Sequence, residues 1–250
     1  MAPAFHPPSI AMSLPSASAT GGHLPADADP NRTLQGLLDQ RYSCRGFLPQ
    51  EVPRATIERI LQLAQRTASW CNAQPWQVVI TRGAATERLR AALLAAQGEP
   101  PQSDFPWPRE YQGVYQARRR ECGLALYDAV GVPKGDREAS ARQALENFRF
   151  FGAPHVAIVT SDEALGVYGA VDCGAFISNF MLAATSLGVA TVPQAALASR
   201  ADVLRAQLGL AADRRVVCGI SFGFADEAHP ANGFRTTRAG LDEVLTWAES

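Results

Sequence analysis

The sequence predicts an α+β domain: one mixed or antiparallel sheet flanked by helices. Three observations carry this reading. Helical and strand periodicities are mixed without strict β-α alternation, and short β-branched runs stand at 77–81, 156–161 and 216–224. A long stretch at 169–187 is apolar on nearly every helical face.

In chain order, Leu34, Leu37 and Leu38 recur at helical spacing, and the polar run 41–46 ends that helix at Gly46. Pro53 in a first turn, followed by Ile57, Ile60, Leu61 and Ala64, gives a second helix to about residue 66. It empties into a polar loop at 68–76, then the strand at 77–81. Leu89, Leu93 and Ala96 mark a helix over 85–97. Between 98 and 136 the pattern weakens into an aromatic excursion, with Phe105, Trp107, Tyr111 and Tyr115 among Pro, Gln and Arg. Such a segment suits a lid or substrate wall.

Pro154 introduces the strand at 156–161. The apolar helix 169–187 should be enclosed by protein on all sides, and a subunit interface would enclose it. A brief helix at 203–208 precedes Gly209, and Gly219 and Gly223 in the strand 216–224 allow close backbone approach. A final helix is expected at 241–248.

Composition narrows the function. At 250 residues, 47% hydrophobic and 19% charged, the chain can bury one large core. With 23 basic and 24 acidic residues, its net charge of -1 offers no overall field for nucleic acid or an anionic membrane. Five scattered cysteines without a C-x-x-C pair, and no His at ligand spacing, point to free thiols, a cytoplasmic setting and no metal. Residues 1–30, rich in Pro, Ala and Ser, read as a disordered extension preceding one domain at 31–250. The apolar run near 170–190 is interrupted by Asp172, Ser178, Asn179 and Gly188, so it reads as a buried helix and not a membrane span.

Three polar clusters fall in loops between apolar elements: Arg41-x-Ser43-x-Arg45, Ser69-x-x-Asn72-x-Gln74-Pro75-Trp76 and Arg235-x-x-Arg238. Taken singly, the first is an ordinary solvated helix end and the second a turn. In joint order and spacing they resemble the flavin-binding signature of the nitroreductase family. The segments at 147–154, 186–195 and 218–223 extend the resemblance over about residues 31–250.

The resemblance implies an intertwined homodimer binding FMN, with NAD(P)H as co-substrate and two flavin sites across a two-fold interface. Chemistry gives the same residues independent reasons. A flavin phosphate carries close to two negative charges, and guanidinium groups meet it bidentately. Arg41 and Arg238 are the expected phosphate ligands, with Ser43 donating its hydroxyl and Arg235 and Tyr42 alongside. Asn72 offers a donor and an acceptor to the alternating edge of the flavin, with Ser69, Trp70 and Gln74 in the same loop. Arg45, with Arg149 second, is the cation that would raise the flavin potential. The main chain at Pro193, Gln194, Ala195 and Ala196 matches the segment that hydrogen-bonds flavin N5 in the family.

Two departures bear on the substrate. Trp70 stands where relatives carry a small residue, and Ala195-Ala196 where many carry Glu-Gly. Trp70, Phe105, Trp107, Tyr111 and Tyr115 are therefore the candidate substrate contacts, with no protein acid or base required. The expected activity is ping-pong reduction of nitroaromatics, quinones or similar electrophiles. The alternatives are an oxidase, dehydrogenase or dehalogenase acting on one metabolite, and a flavin-binding protein without turnover. Every version requires Arg41, Asn72 and Arg238 to converge on one nucleotide.

Overall fold

The computed structural model describes residues 29–249, so the expected disordered extension lies outside the described residues except for Asp29 and Pro30. These two open helix α1 (Pro30–Gln40): the Asp29 carboxylate accepts from the Asn31 and Arg32 main chains, and Pro30 occupies the first turn. Helix α2 (Arg54–Ala64) buries Ile57, Ile60 and Ala64, the stripe its spacing predicts. Then follow β1 (Gln77–Thr81), α3 (Ala84–Ala95), α4 (Gly113–Ala129) and α5 (Arg137–Leu145). The second half runs β2 (His155–Asp162), α6 (Gly166–Ser186), β3 (Ala190–Gln194), α7 (Ala195–Ala198), α8 (Ala201–Leu208) and β4 (Arg214–Gly223).

The four strands form one antiparallel sheet in the order β1-β2-β4-β3, as the mixed periodicity implied. Both faces are covered. Ala157, Val159, Ile220 and Phe222 point toward α2 and α6, where Phe176 and Phe180 are buried. Val156, Ile158, Val192 and Val216 point the other way, toward Leu89 and Leu93 of α3 and Leu197 and Leu204 beyond β3. Alternate residues of β2 thus serve opposite cores, which explains its nearly continuous apolar run. Gly219 lets α7 lie against the sheet, since a Cβ there would collide with the Leu197 side chain.

The structure corrects the sequence reading in five places. The excursion at 98–136 holds a 17-residue helix, α4, none of whose residues is buried; with no apolar stripe, it left no periodic signal. Helix α5 was hidden for the same reason. Strand β3 was not anticipated because it contains Pro193, which is tolerated because β3 is an edge strand. The helix expected at 241–248 is a single turn, Leu241–Glu243, and Leu241, Val244 and Trp247 remain exposed.

The fifth correction concerns α6. Together with the turn before it (Glu163–Ser186), it is long and apolar enough to cross a bilayer, with a mean hydropathy of 1.3 over its most apolar 18 residues, because its polar residues are too widely spaced to break the run. It is the central helix of the domain, with Cys173, Phe176, Phe180 and Ala184 packed on the sheet. Within one chain it is not enclosed on all sides: Val167, Tyr168 and Val171 form an exposed apolar strip.

Candidate active site

The first and third polar clusters meet. The chain leaves α1 in extended conformation at Arg41, and the Cys44 main chain donates to the Thr191 carbonyl of β3. The 41–46 segment is thereby fixed along that sheet edge. Asn232 clamps it from the tail, accepting from the Arg45 main chain at 2.7 Å and donating to the Gly46 carbonyl at 2.9 Å. Gly46 is required there, because a Cβ would strike the His229 ring.

Arg41, Ser43, Arg45, Arg235 and Arg238 consequently line one cavity of about 550 Å³. None of the four guanidiniums is ion-paired with a carboxylate among the described residues, and Asp39 is the one acidic side chain on the wall. Burial, and then the neighbouring Arg238, hold the Arg41 guanidinium below its ordinary pKa, and burial does the same for Arg45. The Arg235 guanidinium lies 3.9 Å from the centroid of the Tyr42 ring, and Arg45 sits 6.0 Å from the ring centroids of Phe151 and Phe234. Crowded like charges around a cavity are relieved by an anion, and a planar guanidinium fork matches phosphate in particular.

The second cluster lies elsewhere in the same chain. Its loop leads into β1, at the opposite edge of the sheet from β3 and at the opposite strand end from Thr191. Three strand spacings, about 14 Å, separate the two edges. Within one chain, therefore, Asn72 does not meet Arg41 and Arg238 as the sequence reading required.

The loop itself is tightly built. Cys71, Asn72 and Gln74 all adopt left-handed backbone conformations, with φ of 51°, 54° and 48°. Ser69 Oγ accepts from the Gln74 main chain at 2.9 Å, and the Gln74 amide spans the Gln65 side chain and the Asn72 carbonyl. Asp172 of α6 accepts from the Trp70 main chain, and the Trp70 ring stands edge-on to Tyr168 at 4.5 Å. Buried Arg214 holds the base of the loop, donating to the Pro75 carbonyl at 2.9 Å and the Thr160 carbonyl at 2.7 Å.

Comparison with known proteins decides the family. Residues 38–224 match the model of the nitroreductase family. The chain belongs to that family. The nitroreductase NfnB of Mycolicibacterium smegmatis is 40% identical over 223 residues, covering 88% of this chain and 94% of the relative. A nitrobenzene nitroreductase of Ectopseudomonas oleovorans is 34% identical, covering 86% and 96%. The crystal structure of the Mycobacterium smegmatis NfnB, described as FMN-dependent and solved in complex with NADPH, superposes with a TM-score of 0.84 at 38% identity, covering 88% of this chain and all of that one.

In this nitroreductase the remaining predicted residues are dispersed. Ala195 and Ala196 begin α7 beside the end of β3, where first-turn N–H groups lack helical acceptors. The side chain of Gln194 is buried and engaged by Asn147 and Ser221, so it does not reach into the cavity. Arg149 pairs with Glu146 at 2.6 Å and is not on the wall of the arginine cavity. Phe105, Trp107, Tyr111 and Tyr115 are not on that wall either. The Trp107 indole donates to Ser103, and Tyr111 lies under Arg119.

The sequence reading overlooked Cys122 and Thr236 on the wall and Asn232 behind it. Thr236 lies within the Arg235-x-x-Arg238 run, whereas nothing local marked Cys122 or Asn232, which reach the cavity through tertiary packing. Burial pushes the Cys173 and Cys218 thiols up to about 11, which suits packing and not nucleophilic chemistry.

Proposed function

We propose that this chain is a homodimeric FMN-dependent oxidoreductase that takes hydride from NAD(P)H and reduces nitroaromatic, quinone or similar electrophilic acceptors. The observation that carries the reading is the convergence of four guanidiniums without acidic partners on one cavity, in a chain of the nitroreductase family. That donor set fits a flavin phosphate: Arg41 and Arg238 take its charge, Ser43 and Arg235 complete its hydrogen bonds, and Tyr42 supports Arg235.

The loop bearing Ser69, Trp70, Asn72 and Gln74 comes to the same flavin from a second copy of the chain. Two features favour this arrangement. Within one chain the loop lies at the far corner of the sheet, and beside it α6 leaves Val167, Tyr168 and Val171 exposed, an apolar strip suited to a two-fold contact.

Bound FMN supplies a ring that accepts hydride and passes electrons on in a second half-reaction. The chain's residues bind and orient it. Arg45, half-buried between two phenylalanine rings, provides positive charge that favours the reduced state, with Arg149 a more distant second. The main chain at 193–196, above all the N–H groups of Ala195 and Ala196, holds the ring, and Asn72 satisfies its polar edge. Trp70 forms one substrate wall; Tyr111 and Tyr115, at the leading end of α4, together with Phe105 and Trp107 form another. We read its setting as the cytoplasm, a reading that the five free thiols support.

The test is spectroscopic. Purified protein is expected to show flavin absorbance at one FMN per chain, bleached by nicotinamide under anaerobic conditions and restored by a nitroaromatic, with parallel initial-rate lines. Colourless protein that takes up no added FMN would overturn the proposal.

A further inference from the structure

We propose that the chamber next to the arginine cavity is a phosphate subsite for the nicotinamide dinucleotide, with Arg118 of α4 as its selecting residue, so that the enzyme prefers NADPH to NADH. This rests on the flavin-oxidoreductase reading above and extends it to a choice between co-substrates.

The chamber measures about 660 Å³ and adjoins the arginine cavity, sharing Cys122, Arg235, Thr236 and Arg238 as a common wall. Its far wall is α4, where Arg118, Glu121, Cys122 and Ala125 fall on one helical face at i, i+3, i+4 and i+7. The opposing tail brings the hydroxyls of Thr236 and Thr237. An anion in the chamber therefore meets a guanidinium from α4 on one side and the tail hydroxyls on the other, with Glu243 as the carboxylate it must displace.

The present partner of Arg118 is one that a phosphate can displace. Arg118 donates to Glu243 at 3.0 Å, and both side chains are about half exposed. Solvent screens such a pair, and two long side chains are ordered to make it. A phosphate ester carries close to two charges and accepts both arms of the guanidinium fork, so it competes favourably with a single carboxylate.

The neighbouring cations are less suited. Arg119 is stacked on Tyr111, its guanidinium 5.2 Å from the ring centroid. In the proposed site Arg41 and Arg238 are already committed to the flavin phosphate, which leaves Arg118 for a second one. NADPH differs from NADH only by the 2'-phosphate, so a guanidinium reserved for a second phosphate discriminates between them. Because α4 has no buried residue, core packing does not fix its position; Arg118–Glu243 and a 3.0 Å hydrogen bond from Thr237 to Glu121 tie it to the tail. Exchange of Glu243 for phosphate can thus proceed without disturbing the core.

The test compares NADPH with NADH, and adenosine 2',5'-bisphosphate with 5'-AMP, on the FMN-loaded protein. Wild type is expected to favour NADPH in kcat/KM. Arg118→Gln should lower the NADPH/NADH ratio about tenfold or more, equivalent to about 1.4 kcal/mol, and weaken the bisphosphate by a similar factor in calorimetry. Glu243→Gln, which removes the competing carboxylate, should tighten the bisphosphate about two- to fivefold, and Arg118→Lys should fall between wild type and Arg118→Gln. A wild-type ratio near one, or bisphosphate binding unchanged by Arg118→Gln, would overturn the subsite. Flavin that neither nicotinamide bleaches would instead overturn the oxidoreductase reading itself.

Discussion

The two polar corners of the sheet are built on opposite principles. At the β3 edge, four arginines crowd around a cavity with one aspartate on its wall, and none of them is ion-paired among the described residues. At the β1 edge, the Ser69–Trp76 loop satisfies itself: its serine, glutamine and tryptophan groups are engaged by its own main chain, by Gln65 and by Asp172. The arginine corner is charged and unfinished, and folding leaves it in need of an anion. The loop corner is neutral and pre-formed; its left-handed residues are held by hydrogen bonds made before any ligand arrives. A flavin needs both, and one chain keeps them apart.

The largest effect should come from breaking the charged corner. The double variant Arg41→Ala, Arg238→Ala removes two charge-assisted contacts of about 1.5–3 kcal/mol each, so FMN affinity should fall by roughly 10² to 10⁴. Equilibrium dialysis measures this, and circular dichroism should be unchanged because neither side chain supports the core. Affinity within threefold of wild type would remove the arginines from the phosphate site.

The loop corner should respond through stability. Arg214 is buried without a carboxylate partner among the described residues and gives its donors to the Pro75 and Thr160 carbonyls and the Thr160 hydroxyl. Arg214→Met leaves those acceptors unpaired at a cost of about 1–3 kcal/mol, visible as a lower urea midpoint. It should also raise amide exchange across 69–76 while leaving 41–46 protected. Equal exchange at both corners would mean that they are not independent.

The smallest effect is a pH dependence in the core between them. His155 Nε2 accepts from the Val52 main chain at 3.0 Å, so Nδ1 donates to the Thr81 carbonyl at 3.1 Å and the ring must be neutral. Burial lowers its pKa below the ordinary value. The unfolded chain then takes up a proton that the folded chain refuses, so this contribution is intact above about pH 6.5 and is lost as pH falls below it. Denaturation curves at pH 7.5 and 5.5 should differ in this sense, and a variant without the imidazole should lose that difference.

Much of this was legible in the sequence. The β-branched run of β2 and the apolar α6 announced the layered core, and Arg41-x-Ser43-x-Arg45 and Arg235-x-x-Arg238 announced a shared anion site. What escaped notice lacked a local signature. Helix α4 buries nothing and so carries no stripe, β3 hides behind Pro193, and the apolar residues near 241–247 mimic a helix yet remain exposed. The separation of Asn72 from Arg41 follows from strand order, which no motif encodes.

The central claim is that each flavin site is assembled from the arginine corner of one chain and the loop of another. Subunit complementation tests it directly. A chain carrying Arg41→Ala and Arg238→Ala is co-expressed with a chain carrying Asn72→Ala, and the heterodimer is isolated by two affinity tags. The account predicts one FMN bound per heterodimer with wild-type affinity, because one of its two sites receives intact parts from both chains. Two weakened sites, with no wild-type affinity recovered, would contradict it.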